Sequence, residues 1–252
     1  NAFFQKGTVA IALRLIPQKV KQLKELSLPP ILETFTRRKQ GFFLVVGPVG
    51  QGKSTTLASM IDLVNHERAE NIITIEDPVE YVFTPDRSII SQREVRFDTA
   101  DFHVALRACF REDVDIILIG EMRDFETIHS ALTLAETGHL VLATLHTFDT
   151  THAISRIVDI FPPHHQHQIR VQLSMVLLGV LSQQLVPNKD CTRRVLIYEL
   201  MRVTHSIQNM IRENDLPQIR TAIQTGKHLG MHTMNQCLAE SVKKDIITVE
   251  EA

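Results

Sequence analysis

Gly47-Pro48-Val49-Gly50-Gln51-Gly52-Lys53-Ser54 has the spacing G-x-x-x-x-G-K-[ST], with Thr55 behind it. The glycines let backbone N–H groups turn inward around phosphate oxygens. A helix opening at the end of the loop adds the positive end of its dipole. Lys53 is spaced to reach the β- and γ-phosphates, and Ser54 to offer its hydroxyl to Mg²⁺. The apolar run Phe42–Val46 precedes the loop and helical spacing runs from Thr55 to Arg68. That strand–loop–helix context supports the motif. The chemistry it predicts is ATP binding with Mg²⁺.

Two acidic segments fit the same chemistry. Ile116-Ile117-Leu118-Ile119-Gly120-Glu121 is an apolar strand ending in a carboxylate. An acid there either holds the metal through water or acts as a base, and Glu121 is the candidate for both roles. Thr74-Ile75-Glu76-Asp77-Pro78-Val79-Glu80 is a second acidic strand end. Glu76 is the candidate for orienting the attacking water. The bland alternative is a solvated turn at Asp77-Pro78. Several carboxylates beside a triphosphate repel it unless a metal or cations intervene, which argues for both.

A histidine stands at each end of the run Leu140–Leu145. Ligands of open α/β sheets gather at the carboxyl ends of the strands, which favours His146 over His139 as a group that senses a γ-phosphate. Arg107, Arg111 and Arg123 lie near the acidic strand in sequence, with Arg156 a weaker member of the set. An arginine supplied across a subunit contact accelerates phosphoryl transfer by about 10³–10⁵. The alternative is ion pairing with Glu112, Asp113 and Asp124. His164, His165 and His167 follow Pro162-Pro163 with no carboxylate or cysteine close by, so they read as a solvated helix start.

The elements that must position these groups alternate. Strands are expected at 42–46, 71–75, 116–119 and 140–145, and helices at 31–40, 55–68, 98–112 and 124–137. Such alternation predicts an α/β fold with a parallel sheet. After residue 151 the chain is expected to be mostly helical, from His152 to Leu185 and again beyond Thr204. Residues 1–30 read as the end of an N-terminal domain, with an edge or final strand after Gly7, and then a linker. Residues 31–252 read as the P-loop domain. The start at Asn1 suggests a truncated chain.

Of the 252 residues, 44% are hydrophobic and 22% charged, as in soluble globular domains. A formal charge of −2 argues against a nucleic-acid binder. Cys109, Cys191 and Cys237 are far apart and read as reduced thiols. The most apolar stretch, 171–186, falls short of the ~20 residues of a membrane span and is expected to be a helix buried in the fold or at a subunit contact.

Taken in order, the boxes at 47–55, 74–80, 116–124 and 136–147 resemble those of the secretion and pilus motor ATPases. The family's P-loop, aspartate box, acidic second motif and histidine box fall there. No four-cysteine zinc insertion of the assembly and type II secretion motors is present. Ser206-Ile207-Gln208-Asn209-Met210-Ile211-Arg212-Glu213 and the stretch from Gln224-Thr225-Gly226 to Gly230-Met231 are similar to two segments of the pilus retraction motors. Gln208 replaces an expected Arg, Val49 and Gln51 replace small hydroxyl residues, Val114 stands where Pro is common and Phe148 where a polar residue is common. The resemblance implies a RecA-like motor domain behind a PAS-like one, and a cytoplasmic homo-hexamer peripheral at the inner membrane. It also implies Arg14 as an extra nucleotide contact. Its implied work is ATP-driven pilus retraction, with a membrane platform protein and a homologous retraction ATPase as partners. Rivals are an assembly or secretion motor, a catalytically weak ring subunit, and a nucleic-acid translocase.

Overall fold

The computed structural model describes residues 2–13, 16 and 19–251. Arg14 lies outside the described residues. The chain opens with a hairpin, β1 (Ala2–Gln5) and β2 (Thr8–Ile11), paired antiparallel. Lys6 and Gly7 both take positive φ at its tip, the backbone a two-residue turn requires. The strand expected after Gly7 is therefore the second arm of a separate two-stranded sheet. Leu23 and Leu28 are buried together with Leu32 and Phe35 of α1 (Leu32–Thr36), against the aliphatic face of the P-loop helix.

The following elements are β3 (Gly41–Val46), α2 (Lys53–Glu67), β4 (Asn71–Glu76), β5 (Ile89–Glu94), α3 (Phe102–Cys109), β6 (Ile116–Ile119), α4 (Phe125–Glu136) and β7 (Leu140–Leu145). Then come α5 (Thr150–Asp159), α6 (Pro163–Val176), β8 (Leu177–Pro187), β9 (Arg194–Arg202), α7 (His205–Glu213), α8 (Leu216–Thr225) and α9 (Met234–Lys243). The main sheet has seven strands in the order β5-β4-β6-β7-β3-β8-β9. β3, β6 and β7 are buried at every residue, as their unbroken apolar runs require. One core lies between the sheet and α3–α8; the other, on the opposite face, is built on α1, α2 and the segment before them.

Two expectations are corrected. The sheet is mixed, because β9 runs antiparallel to β8 at its edge. The helix expected through Leu185 stops at Val176, and Leu177–Pro187 is a strand paired parallel to β3. An apolar run buried on both faces has no period that separates strand from helix. Gly179 shows what tertiary contact adds: a Cβ there would lie 2.7 Å from the Met201 carbonyl oxygen and 3.1 Å from the Phe35 ring. Neither β5 nor β9 is apparent from the sequence pattern, since both are edge strands carrying mixed residues.

Most helices start on a side-chain cap. Asp101, Asp124, Asp149, Thr204, Asp215 and Thr233 each accept a backbone N–H of the first turn. α2 differs: its N-cap is Gly52 at φ 81, with no side-chain cap, so its first N–H groups face the loop unmasked.

Candidate functional site

Four loops leave the carboxyl ends of neighbouring parallel strands and meet in one cleft of about 530 Å³. β3 delivers the Gly47–Gly52 loop, β4 delivers Glu76, β6 delivers Gly120-Glu121, and β7 delivers His146. The lining includes Val49, Gly50, Gly52, Lys53, Ser54, Thr55, Glu76, Glu121, Arg123 and His146.

The loop's shape is set from outside it. Gly47 takes φ 144, and a Cβ there would stand 2.5 Å from the Gln183 carbonyl oxygen of β8. Gln51 turns its side chain away from the cleft and accepts the Leu185 N–H at 2.6 Å. Pro48 offers its carbonyl inward to Lys53. Replacing Gly47 by alanine therefore pushes the loop off β8. We expect a loss of about 1–3 kcal/mol in chemical denaturation, the usual cost of forcing extra volume into a packed site.

Lys53 is 7% exposed. Its Nζ donates to the carbonyls of Gly47 and Pro48, each at 2.8 Å, and contacts His146 Nδ1 at 3.2 Å. Burial lowers its pKa, against the pull of Glu121 and Glu80. An ammonium only donates, so His146 Nδ1 must accept. Nε2 then carries the imidazole proton and donates to Glu121 Oε1 at 3.0 Å. The second oxygen of Glu121 accepts from Arg123 at 2.6 Å. Burial disfavours the Glu121 charge, but the Arg123 bond and His146 outweigh it and hold the carboxyl below its usual range. Lys53, His146, Glu121 and Arg123 thus form one continuous polar chain across three strand ends.

Glu76 is 8% exposed. It accepts from the Thr74 hydroxyl at 2.7 Å and, more loosely, from the Glu80 N–H at 3.4 Å. Burial raises its pKa in spite of these bonds. Thr74 is legible in hindsight, because residues two apart share one face of a strand. Thr144 donates to the Gly120 carbonyl at 2.6 Å and so ties the acidic strand end to β7. Asp77 pairs with Arg96 at 3.7 Å.

Arg107 and Arg111 are exposed and do not line the cleft. Arg107 belongs to the last turn of α3 and Arg111 follows it, on the approach to the amino end of β6, whereas the cleft gathers at the carboxyl ends. Glu112 pairs with Arg93 instead. Arg156 is an exposed residue of α5. His139 lies at the amino end of β7 and its Nδ1 is 3.0 Å from the Leu134 carbonyl, where it serves the end of α4. His164, His165 and His167 are exposed at the start of α6.

One cleft arginine escaped the sequence reading. Arg194 of β9 donates to the Gly50 carbonyl at 3.3 Å, from 144 residues away. No local spacing signals it. Tyr81 is a second such residue, with its hydroxyl 2.8 Å from that of Thr55.

The residues fit Mg²⁺ and a nucleotide. Oxygen donors suit that ion, and the Ser54 hydroxyl and several carboxylates supply them here. The uncapped start of α2 and the inward-facing loop suit phosphate oxygens.

The retraction-like segments are in helical packing. Ile207 and Ile211 of α7 are buried, and Gln208 turns to His205, with Oε1 and Nδ1 3.0 Å apart. A Cβ at Gly226 would lie 2.8 Å from the Ala222 carbonyl oxygen and press on the Met231 side chain, so the backbone is closely packed at this turn.

Comparison with known proteins agrees with this layout. Over its full 252 residues the chain is 46% identical to the "Type IV pilus retractation ATPase PilT" of Pseudomonas aeruginosa, covering 73% of that protein. It is 44% identical, again over its full length, to the "Twitching motility protein" of Neisseria gonorrhoeae, covering 67% of it. Among solved structures, that of "the Pilus Retraction Motor PilT and Bound ADP" superposes with a TM-score of 0.94 at 50% identity, over 99% of this chain and 71% of the other. Residues 6–252 match the family described as "Type II/IV secretion system protein". With that match running from the hairpin's turn through the cleft, the chain belongs to the Type II/IV secretion system protein family.

Proposed function

We propose that the chain is the Mg²⁺-dependent ATPase of a homo-hexameric motor that drives type IV pilus retraction. One observation carries the catalytic part: Lys53, His146 and Glu121, from three separate strand ends, are joined by direct contacts in the same cleft. The retraction part is supported by the relatives whose names carry it and by the similarity at 206–213 and 224–231.

In this reading the loop from Gly47 to Thr55 takes the phosphates through its backbone N–H groups, which every residue there except Pro48 supplies. Ser54, and Glu121 through water, would hold Mg²⁺, whose charge would offset that of the phosphates. Phosphate oxygens are stronger partners for Lys53 than the two carbonyls it now takes, because both partners are charged. Nucleotide binding therefore draws Lys53 away and frees His146 to report the γ-phosphate. Glu76 orients the attacking water and receives its proton as the bond from the γ-phosphorus to ADP breaks. Arg123 in the cleft, and Arg107 and Arg111 across a subunit contact, stabilise the charge that develops. A ligand moves a protein only through unequal affinity for two states, and the Lys53–His146 exchange supplies such an inequality.

Residues 1–30 hold the end of an N-terminal domain, which moves against residues 31–252, and a linker whose Leu23 and Leu28 pack with α1 and α2. The ring works in the cytoplasm at the inner membrane, on a membrane platform protein and beside a homologous retraction ATPase. No helix among the described residues is long and apolar enough to cross a membrane.

Calorimetric titration of the intact protein with Mg·ATP should saturate, and steady-state hydrolysis should require Mg²⁺. Cells lacking the gene should carry excess pili that do not retract. Bald cells would point to an assembly motor instead, and a titration without heat would remove the ATPase reading.

A further inference from the structure

Tyr81 lies on the loop that follows Glu76, and its hydroxyl meets that of Thr55 at 2.8 Å. Both residues line the cleft and both are partly buried. Thr55 is in the first turn of α2, directly after Ser54. The loop is also tied to β5 and, at its far end, to α2 through Asn65, which donates to the Thr84 carbonyl at 2.9 Å and accepts the Asp86 N–H at 3.0 Å. Gln92 donates to the Tyr81 carbonyl at 2.7 Å and accepts the Phe83 N–H at 2.9 Å, while Glu94 accepts the Val79 N–H at 3.0 Å. The same loop supplies the Glu80 N–H to Glu76. Phe83 is buried with Leu57 and Ala58 of α2, and Tyr81 packs against that cluster. The Tyr81–Thr55 pair is therefore a polar link between the P-loop helix and the loop that holds the carboxylate of Glu76.

Each hydroxyl has one proton to give, and the distance alone leaves the direction open. A phosphate at physiological pH offers acceptors, so a Thr55 hydroxyl that touches it must donate to it. Thr55 Oγ1 is then left to accept, and the Tyr81 proton must point at it. We infer that Tyr81 is a positioning residue: it donates to Thr55 and aims the Thr55 hydroxyl at a nucleotide phosphate. Chained hydroxyls polarise one another, so the Thr55 donor is strengthened as well as aimed. This inference rests on the nucleotide reading of the cleft.

The test is steady-state Mg·ATP hydrolysis by the intact protein, with thermal unfolding in parallel. Tyr81→Phe removes one oxygen and keeps the ring in its packing. It should raise KM for ATP about three- to tenfold, the scale of one hydrogen bond, and leave kcat within about twofold. Thr55→Val should raise KM at least as much, and adding Tyr81→Phe to Thr55→Val should change KM no further. Thr55→Ser, which keeps the hydroxyl, should restore the sensitivity to Tyr81→Phe. A hydroxyl that served only the fold would lower the melting temperature and leave KM alone. That result, or two losses that multiply in the double variant, overturns the inference while wild-type hydrolysis stands. A wild-type protein that neither binds nor hydrolyses Mg·ATP removes the nucleotide reading and this inference with it.

Discussion

Replacing Lys53 by methionine should lower ATP turnover by about 10²–10³-fold, the cost of deleting one charged group aimed at a developing negative charge. Methionine fills the stem of the lysine and adds no charge, so the loop should stay in place. The nucleotide should also bind about 10–100-fold more weakly, since a hydrogen bond to a charged partner contributes about 1.5–3 kcal/mol. The structure explains why no neighbour replaces it. Arg194 and Arg123 share the cleft, but the first is bound to the outer carbonyl of Gly50 and the second to Glu121. Steady-state hydrolysis together with titration of ADP separates the two effects. Turnover within tenfold of wild type would show that the triphosphate does not lie on Lys53.

Glu76→Gln should lower kcat by about 10²–10⁴-fold, the range of general base catalysis, with a smaller change in KM. It should also raise the melting temperature of the nucleotide-free protein at neutral pH. Burial raises the pKa of Glu76 above its ordinary value, so the folded state holds this proton more tightly than the unfolded chain. Stability from that preference is fully present below the unfolded-state pKa and is lost as pH rises through the folded one. At neutral pH the ionised carboxylate is thus a burden on the fold, which glutamine relieves. The amide oxygen keeps the Thr74 bond, while the long contact with the Glu80 N–H is given up. Melting temperatures of the two proteins should converge as the solution is acidified. A variant that is both active and less stable would place Glu76 in a purely structural role.

These two residues differ in how visible they were. Lys53 stands inside a motif whose glycines and flanking elements announce its chemistry. Glu76 is one acid among several, and the role proposed for it depends on its being buried, which no spacing reports. Arg107 and Arg111 show the converse. Nearness in sequence to Glu121 made them candidates, but α3 carries them toward the amino end of β6, away from the cleft of their own chain.

Periodicity and motif spacing by themselves determined the inner strands, the helices between them, the glycine-rich loop from β3 to α2 and the placing of His146, rather than His139, at the strand end that opens on the cleft. Each of those is a local statement: an unbroken apolar run buries both faces, and a glycine-rich loop between strand and helix cradles phosphate. Tertiary structure alone decided that Leu177–Pro187 is a strand, that Arg194 borders the phosphate loop and that Tyr81 reaches Thr55. The physical reason is common to all three. A strand buried on both faces has no period of its own, and contacts between residues 26 to 144 positions apart exist only once the sheet order has brought their strands and helices together.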